Sequence, residues 1–297
     1  MIKVTVPATT ANLGPGFDTL GLALDLQASF TFTPAAQFTI TGCPRRYCNE
    51  NNLVWKAYCR LFQKLNEKPI PVQITIDSPI PVSRGLGSSS ACILAGLCGA
   101  NALLNEPVST LDLLRLACEL EGHPDNVTPA LLGGLKAALI DQDCLLTADF
   151  SVSERLRLAA LVPDFELETR RARQALPQRI PHAQAAGALG KLAFLLKGLE
   201  TADSALLEAA MNEPLHEPYR IPLIPEYAAV KQLCVDQGAA AVMISGSGPT
   251  LLALFLDDLP EAALSLKLKT LDHHWQLLPC RVQQEGVRIE CKEEPYE

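Results

Sequence analysis

The apolar positions of the chain recur with two different periods, which predicts a fold of interleaved strands and helices. Alternating or short continuous apolar runs predict strands at residues 2–6, 20–33, 72–77, 135–140, 156–162, 240–244, 251–256 and 286–290. Apolar residues that recur every three or four positions predict helices, the clearest at residues 53–65, 88–104, 110–121, 183–199, 227–236 and 260–271. The mixture indicates an α+β protein.

A change of character after Pro163 divides the chain into two parts. Strand-like sequence ends there, a polar run follows, and a mainly helical half begins. The 297 residues are enough for two domains of roughly 150 residues each. We therefore expect one domain at residues 1–163 and a second at residues 164–297.

Charge and hydropathy exclude two classes of partner. The 25 Lys and Arg residues against 33 Asp and Glu residues give a net charge of -8, so no uniform basic field exists to bind nucleic acid or an anionic membrane. The longest strongly apolar stretch, around residues 91–100, falls well short of the roughly 20 residues of a spanning helix. No apolar segment with a cleavage site follows the strand at residues 2–6, so we expect a cytoplasmic protein.

The ten cysteines do not form a recognisable framework. No Cys-x-x-Cys pair is present, and a long chain of this class is expected to keep most thiols reduced and buried. His273 and His274 near Cys280 make the one cluster that resembles a metal site. Adjacent histidines on a helix point in different directions, so we favour a solvated face over zinc there.

The sequence at residues 81–90, PVSRGLGSSS, lies between the predicted strand at 72–77 and the helix that begins at residue 88. The first N–H groups of a helix lack partners within it and carry a partial positive charge, and glycines allow a phosphate to approach the backbone closely. Serine hydroxyls there could add a Mg²⁺ ligand. No lysine follows Gly87, and Ser90 replaces the third glycine of a dinucleotide fingerprint, so neither familiar phosphate motif fits. Alone, the stretch could be a tight turn with a serine cap.

Two further glycine-rich stretches, at residues 7–21 and 238–250, accompany this loop. The second of them could be an ordinary hairpin turn between the strands that end at residue 244 and begin at residue 251. Three such stretches in one chain nevertheless favour a single shared site.

These three stretches resemble the three motifs of the GHMP kinases, the small-molecule kinases named for galactose, homoserine, mevalonate and phosphomevalonate. Residues 81–90 resemble their ATP loop, and residues 7–21, 119–130 and 215–220 resemble the homoserine kinases in particular. The resemblance implies a two-domain GHMP kinase fold, with a left-handed βαβ unit in the N-terminal domain and a ferredoxin-like C-terminal domain. It also implies transfer of the ATP γ-phosphoryl group to the side-chain hydroxyl of L-homoserine, on the way to threonine, by a homodimer.

The resemblance assigns the substrate site, which must hold the carboxylate, ammonium and hydroxyl groups of homoserine. Arg173 and Arg220 match the arginines that clamp the carboxylate, and Asp18 matches the residue that faces the ammonium group. Residues 170–173 could instead be a solvated helix face, and Asp18 could cap a turn. The matching substrate-binding residues are Asn12, Asp18, Asp125, Asn126, Thr169, Arg173 and Arg220.

The resemblance also assigns the nucleotide and metal sites. Asn52 matches the adenine contact, and the ATP loop comprises Pro81, Val82, Ser83, Arg84, Gly85, Leu86, Gly87, Ser88, Ser89 and Ser90. Glu119 with Ser89 is the expected Mg²⁺ ligand set, and Glu121 is a nearby competitor. Many relatives carry alanine in place of Ser90, to which we attach no function.

The expected catalytic residues are Asn126, Glu119 and Ser89. Asn126 stands where related kinases place an aspartate base, so we expect alignment and charge neutralisation to drive the reaction without a strong base. Two rivals stay open: a kinase for another acceptor, such as mevalonate, a sugar or shikimate, and a sensor that binds both ligands without transferring phosphate.

Overall fold

The computed structural model describes residues 1–142 and 144–291. The strands in these residues are β1 (Ile2–Ala11), β2 (Leu20–Pro34), β3 (Thr39–Thr41), β4 (Val72–Asp77), β5 (Leu135–Asp141), β6 (Cys144–Phe150), β7 (Leu156–Pro163), β8 (Ala241–Ile244), β9 (Leu251–Leu256), β10 (Trp275–Cys280) and β11 (Arg288–Cys291). The helices are α1 (Leu53–Lys64), α2 (Ser88–Leu103), α3 (Thr110–Glu121), α4 (Val127–Leu132), α5 (Thr169–Gln174), α6 (His182–Thr201), α7 (Ser204–Ala210), α8 (Glu217–Arg220), α9 (Tyr227–Asp236) and α10 (Glu261–Leu268), with 3-10 turns at Arg45–Tyr47 and Ile221–Leu223.

The first sheet has the strand order β11-β1-β2-β4-β3, and β5 and β6 extend it from the other end of β2. The long strand β2 therefore has three neighbours: β1 pairs with most of its length, residues 20–22 pair with β5, and residues 29–34 pair with β4. Strands β3 and β4 are parallel and are joined through α1. They form a βαβ unit in the half of the chain where the resemblance implies one.

The second sheet has the strand order β10-β7-β9-β8 and is antiparallel throughout. In chain order its strands and helices follow the βαββαβ scheme of ferredoxin-like folds, with helices α5 to α9 in the first crossover and α10 in the second. The predicted α+β, two-domain architecture is confirmed.

The predicted boundary after Pro163 does not coincide with the division between the sheets. Strand β7 precedes that boundary but pairs with β9 and β10 in the second sheet. Strand β11 follows it but returns to pair with β1 in the first sheet. The backbone pairing of distant segments decides this division, and local composition does not report it.

The elements that the periodicity missed are short or lack a clear apolar face. They are strands β3, β6 and β10 and helices α4, α5, α7 and α8. In β6 only Leu145 is buried, so its apolar residues do not alternate in and out of a core. His273 and His274 precede β10, and His273 contacts the carboxylate of Asp164 through Nδ1 at 3.2 Å.

Helix α2 lies at the centre of the first domain and brings its N-terminus to the cleft described below. Nearly all of its residues after Ser89 are buried. A side chain at Gly96 would collide with the carbonyl oxygen of Val54 on α1, and one at Gly99 would collide with the ring of Phe32 on β2. The glycines thus let α2 pack closely on both neighbours. None of the helices in the described residues is long and apolar enough to cross a membrane.

Candidate active site

The three glycine-rich stretches converge on one site, as their common occurrence predicted. Ser245 links all three, because its Oγ lies 2.8 Å from Thr10 Oγ1 and donates to the carbonyl oxygen of Gly85 at 2.6 Å. Backbone hydrogen bonds join Thr9 to Leu86 and Gly246 to Ala11. The Asn12 side-chain amide donates to Gly246 O at 2.7 Å. The loops therefore support one another.

A cleft of about 440 Å³ opens where these loops meet. Most of the predicted site residues line it: Asn12, Asp18, Asn52, Val82, Ser83, Arg84, Gly85, Gly87, Ser88, Ser89, Asp125, Asn126, Thr169, Arg173 and Arg220. Pro81, Leu86, Ser90 and Glu119 do not line it. Leu86 and Ser90 are buried behind the loop, and their contribution to the site is to support it.

The glycine loop leaves the N-terminus of α2 open toward the cleft. Gly87 adopts a left-handed conformation, with φ of 71°, and no side chain caps the helix there. A Cβ atom at Gly87 would lie 2.0 Å from Thr9 Oγ1, and one at Gly85 would lie 2.3 Å from Ser245 O. Both glycines are needed for the close packing of the loops, and the helix terminus they leave open suits an anion.

The structure corrects the assignment of Glu119. Its carboxylate is on the surface beside the Arg60 guanidinium, at 3.4 Å, and does not reach Ser89. Glu121 lies two positions further along α3, about 200° around the helix axis, and faces the cleft. Ser89 Oγ donates to Glu121 Oε2 at 2.8 Å, and Ser90 Oγ donates to Oε1 at 3.1 Å. Ser90, to which the sequence analysis attached no function, therefore helps to fix this carboxylate.

Asp125 and Asn126 are held by a chain of side chains at the floor of the cleft. His123 Nδ1 lies 2.6 Å from Asp125 Oδ1, and the Asn126 amide lies 3.4 Å from the same oxygen. Thr9 Oγ1 donates to Asn126 Oδ1 at 2.7 Å. Burial alone would lower the pKa of His123, but the hydrogen bond and the charge of Asp125, with that of Glu121, raise it. Asp125 thus accepts from His123 and stabilises the protonated form of this histidine.

Arg173 and Asp18, which both line the cleft, form a bidentate ion pair. Arg173 Nη2 donates to Asp18 Oδ1 at 2.7 Å, and Nη1 donates to Oδ2 at 3.0 Å. The hydrogen bond to Asp18 raises the pKa of Arg173. The neighbouring Arg170 and Arg171 are exposed, so the solvated-face interpretation holds for them but not for Arg173.

Arg220 also lines the cleft and is buried. Its Nη1 donates to Gly246 O at 2.9 Å and to His216 Nδ1 at 3.2 Å. Because a guanidinium can only donate, His216 is neutral and its Nε2 donates to Gly14 O at 2.9 Å. Burial and the charge of Arg220 lower the pKa of His216 to about 3. The ring of Phe17 lies beneath both arginines, 5.9 Å from the Arg173 guanidinium carbon and 5.2 Å from that of Arg220.

Asn52 and Arg84 line the cleft, but their polar atoms form hydrogen bonds within the protein. Asn52 Oδ1 accepts from Val54 N and caps α1, and its Nδ2 donates to Tyr47 O at 2.9 Å. The Arg84 guanidinium donates to the carbonyl oxygens of Pro163 and Asp164, both at 2.9 Å. Each residue therefore positions the cleft wall, and an adenine contact by Asn52 stays a prediction.

Comparison with known proteins agrees with this geometry. A family model of the GHMP kinases N terminal domain matches residues 52–134, and a model of the GHMP kinases C terminal region matches residues 195–271. A homoserine kinase of Clostridium botulinum (strain ATCC 19397 / Type A) is 37% identical over 296 residues, 98% of this chain and 100% of that protein. The chain belongs to the homoserine kinase family.

Solved structures agree with the membership in this family. The crystal structure of homoserine kinase from Cytophaga hutchinsonii superposes with a TM-score of 0.84 at 30% identity and covers 97% of each chain. The L. major mevalonate kinase in complex with R-mevalonate superposes with a TM-score of 0.76 at 15% identity, over 96% of each chain, and shares the fold. The chain is therefore a kinase with the two-domain GHMP fold.

Sequence reasoning missed several residues of this homoserine kinase family site. His123 and His216 lie inside the motifs at residues 119–130 and 215–220, so the motifs marked their neighbourhood but not their contacts. Phe17 could have been suspected only from its place between Gly16 and Asp18. Ser247, which lines the cleft and lies 3.2 Å from Thr169 Oγ1 through its own Oγ, was not among the predicted site residues.

Proposed function

We propose that the chain transfers the γ-phosphoryl group of ATP to the side-chain hydroxyl of L-homoserine and yields O-phospho-L-homoserine, a step toward threonine. One observation carries the proposal: a single cleft joins an open helix N-terminus to two arginines and an aspartate. The helix terminus suits the phosphates of ATP, and the charged cluster suits an amino acid zwitterion. The homodimer that the resemblance implies and the cytoplasmic location expected from the N-terminal sequence stay predictions.

The phosphates of ATP would lie on the loop at residues 81–90. The N-terminus of α2 has no acidic residue in its first turn and no side-chain cap, so its N–H groups and dipole are available to an anion. The base would lie toward Asn52, at the end of the cleft that Cys43 and Tyr47 also line.

The amino acid would lie between Arg173, Arg220 and Asp18. Arg220 offers its guanidinium to the carboxylate without having to leave another anion. When Arg173 also binds the substrate carboxylate, Asp18 can accept a hydrogen bond from the substrate ammonium group. Asn12 fixes the geometry of Asp18, since its Oδ1 accepts from the Asp18 N–H at 2.9 Å.

Ser89 and Glu121 would hold Mg²⁺. Their donor set consists of one hydroxyl and one carboxylate at the edge of the phosphate loop, which fits a hard cation that keeps several waters and binds phosphate oxygens. When bound, the ion neutralises charge on the transferring phosphoryl group. Ser90 keeps the Glu121 carboxylate directed at the loop, and Glu119 has no part in this set.

The acceptor hydroxyl would attack without a strong protein base. The Asn126 amide contacts the Asp125 carboxylate at 3.4 Å, but Asp125 is paired with His123 at 2.6 Å and is buried. Asn126 is fixed by Thr9 and can align the hydroxyl through its amide. Phosphoryl transfer has a loose transition state, so alignment and charge neutralisation can supply most of the acceleration. An Asn126→Ala variant should lose activity, and the pH profile of the chemical step should not become flat in an Asp125→Asn variant.

The test is ADP release from ATP and Mg²⁺ with L-homoserine, D-homoserine, mevalonate, shikimate and galactose as acceptors. We expect turnover with L-homoserine alone. Turnover with another acceptor would discard the roles of Asp18, Arg173 and Arg220, and binding of ATP without any turnover would favour the sensor.

A matched pair of variants tests the metal site. Glu121→Gln removes the charge of the carboxylate between Ser89 and Ser90, whereas Glu119→Gln makes the same chemical change on the surface two residues away. We expect Glu121→Gln to lower kcat by roughly 100-fold or more and to raise the Mg²⁺ concentration needed for half activity. Glu119→Gln should behave as the unmodified protein, and the reverse result would restore the original assignment.

A further inference from the structure

Two thiols lie next to each other at the end of the cleft that contains Asn52. Cys43 and Cys48 flank the 3-10 turn Arg45–Tyr47, and their Sγ atoms are 3.6 Å apart. Both are free cysteines; Cys43 is half-buried and lines the cleft, and Cys48 is exposed. Neither thiol has a role in the proposed reaction.

The pair is connected to the cleft through the amide of Asn52. Cys43 Sγ lies 3.7 Å from Asn52 Nδ2, and the same amide donates to the carbonyl oxygen of Tyr47 between the two cysteines. Cys48 Sγ in turn contacts Cys43 O at 3.4 Å. Because Asn52 caps α1 and lines the cleft, a change in the conformation of the turn would also move the wall of the cleft.

We propose that Cys43 and Cys48 form a thiol-modification site for small-molecule disulfides, and that the intramolecular disulfide it forms weakens nucleotide binding. The first half of this inference is independent of the reaction, and the second half rests on the placement of the nucleotide base near Asn52 proposed above.

The chemistry is thiol–disulfide exchange in two steps. The Cys48 thiolate attacks one sulfur of the small disulfide, whose S–S bond breaks and releases one thiolate, which takes up a proton. The Cys43 thiolate then attacks Cys48 Sγ in this mixed disulfide and expels the second small thiol. The two protein thiols are oxidised, and the small disulfide is reduced to two thiols.

Exposure decides the order of these steps. Cys48 is accessible to a reagent, whereas burial, with the hydrogen bond to Cys48, raises the pKa of Cys43 to about 11. The buried Cys98, Cys118 and Cys234 have pKa values raised by burial to about 12 and are inaccessible. Cys144 and Cys291 are also exposed, but neither lines the cleft.

Closure of the disulfide must rearrange the turn. An S–S bond is about 2.05 Å long, so the sulfurs, now 3.6 Å apart, approach by roughly 1.5 Å. This movement draws the Cys43 sulfur toward Cys48 and displaces Pro44 and Tyr47, which line the cleft. We expect the dissociation constant of ATP to rise roughly three- to tenfold, the equivalent of one neutral hydrogen bond.

Non-reducing tryptic mass spectrometry after treatment with glutathione disulfide tests the site. Trypsin cleaves at Arg45 and Arg46, between the cysteines, so the disulfide would join peptide 4–45 to peptide 47–56. We expect the joined peptide, a weaker binding of ATP, and recovery of both on reduction. A Cys48→Ser variant should show neither change, and a Cys144→Ser variant should show both.

The outcomes separate the two halves of the inference. Glutathione retained on Cys48 with no joined peptide would overturn the site. A joined peptide with unchanged ATP affinity would overturn its coupling to the cleft. If the reduced protein binds no ATP at all, both the proposed function and the effect of the disulfide on ATP binding are wrong. The peptide result then still decides whether the disulfide forms.

Discussion

The fold places the two arginines that are proposed to bind the substrate carboxylate in different surroundings. The Arg173 side chain is 37% exposed, begins from the short helix α5, and is already paired with Asp18. Arg220 is 1% exposed, and the groups that accept from it are neutral, the Gly246 carbonyl and His216. Its Nε has no hydrogen-bond partner. Within residues 1–142 and 144–291, no carboxylate lies within ion-pair distance of Arg220.

This difference suggests that Arg220 and Arg173 have different roles in binding the substrate carboxylate. Burial, with the charge of Arg173, lowers the pKa of Arg220 to about 10, so the guanidinium stays charged at neutral pH. A buried cation without a counter-ion is costly, and an anionic ligand that reaches it recovers that cost. In the proposed complex Arg220 is therefore the preformed half of the carboxylate site, whereas Arg173 would have to exchange Asp18 for the substrate.

Replacing each arginine by lysine should separate the two roles most strongly. Lysine keeps the charge but lacks the fork that donates to Gly246 O, to His216 and to a carboxylate together. We expect Arg220→Lys to lower kcat/KM for homoserine roughly 100- to 1000-fold and Arg173→Lys only about tenfold. Steady-state kinetics measures both, with ATP affinity and thermal unfolding as controls.

Equal losses of kcat/KM in the two variants would contradict different roles for the two arginines. A fall in ATP affinity or a large fall in the unfolding temperature for Arg220→Lys would mean that the buried arginine is mainly structural. An Arg170→Lys variant is a suitable surface control, because Arg170 is exposed on the same short helix as Arg173.

The sequence identified both arginines but could not distinguish them. The motifs contain Arg173 and Arg220 but not the contacts of these residues. Arg173 pairs with Asp18, which lies 155 positions away in the chain. Arg220 contacts Gly246, which belongs to the C-terminal glycine-rich stretch. Arg220 is buried and Arg173 is partly exposed because of contacts between segments that lie far apart in the chain. No local pattern contains that information.

The choice between Glu119 and Glu121 shows a similar limit. Helical spacing alone establishes that residues two apart face nearly opposite directions, so only one of them can reach Ser89. Which one does so depends on how α3 is rotated against α2, and Leu113, Leu114 and Ala117, the buried face of α3, set that rotation. The hydroxyl of Ser90 is a second signal, since a buried serine needs a partner and Glu121 provides it.

An Asp18→Asn variant tests the role of Asp18, the carboxylate that Arg173 is proposed to exchange for the substrate. The change removes the anion that Arg173 holds and that the substrate ammonium is proposed to use. We expect the KM for homoserine to rise about tenfold, because a charged hydrogen bond is lost. The matched probe is 4-hydroxybutanoate, which lacks the ammonium group but keeps the carboxylate and the hydroxyl, so we expect it to compete with homoserine.

Inhibition by 4-hydroxybutanoate should be unchanged or stronger in Asp18→Asn, since Arg173 is then free for the carboxylate. Weaker inhibition by this compound would show that Asp18 supports the carboxylate site and does not contact the ammonium group.

The smallest expected effect concerns the segment that carries Arg220. Glu217 begins α8, is 3% exposed, and accepts from Ile244 N at 2.7 Å. Burial raises the pKa of this carboxyl to about 7, from an ordinary value of 4.5. The folded state thus favours the protonated form, so the contribution of Glu217 to stability is full below pH 4.5, falls as the pH rises toward 7, and stays low above it.

A Glu217→Gln variant mimics the protonated form and tests this dependence. Its unfolding temperature should exceed that of the unmodified protein by about 2–4 °C at pH 8, the equivalent of roughly 1 kcal/mol, and the difference should vanish at pH 4.5. Thermal unfolding at the two pH values measures it, with Glu119→Gln as the exposed control. Equal destabilisation at both pH values would mean that the ionised carboxylate is needed near Arg220, and Arg220 would then have a counter-ion of its own and would no longer be the preformed half of the pair.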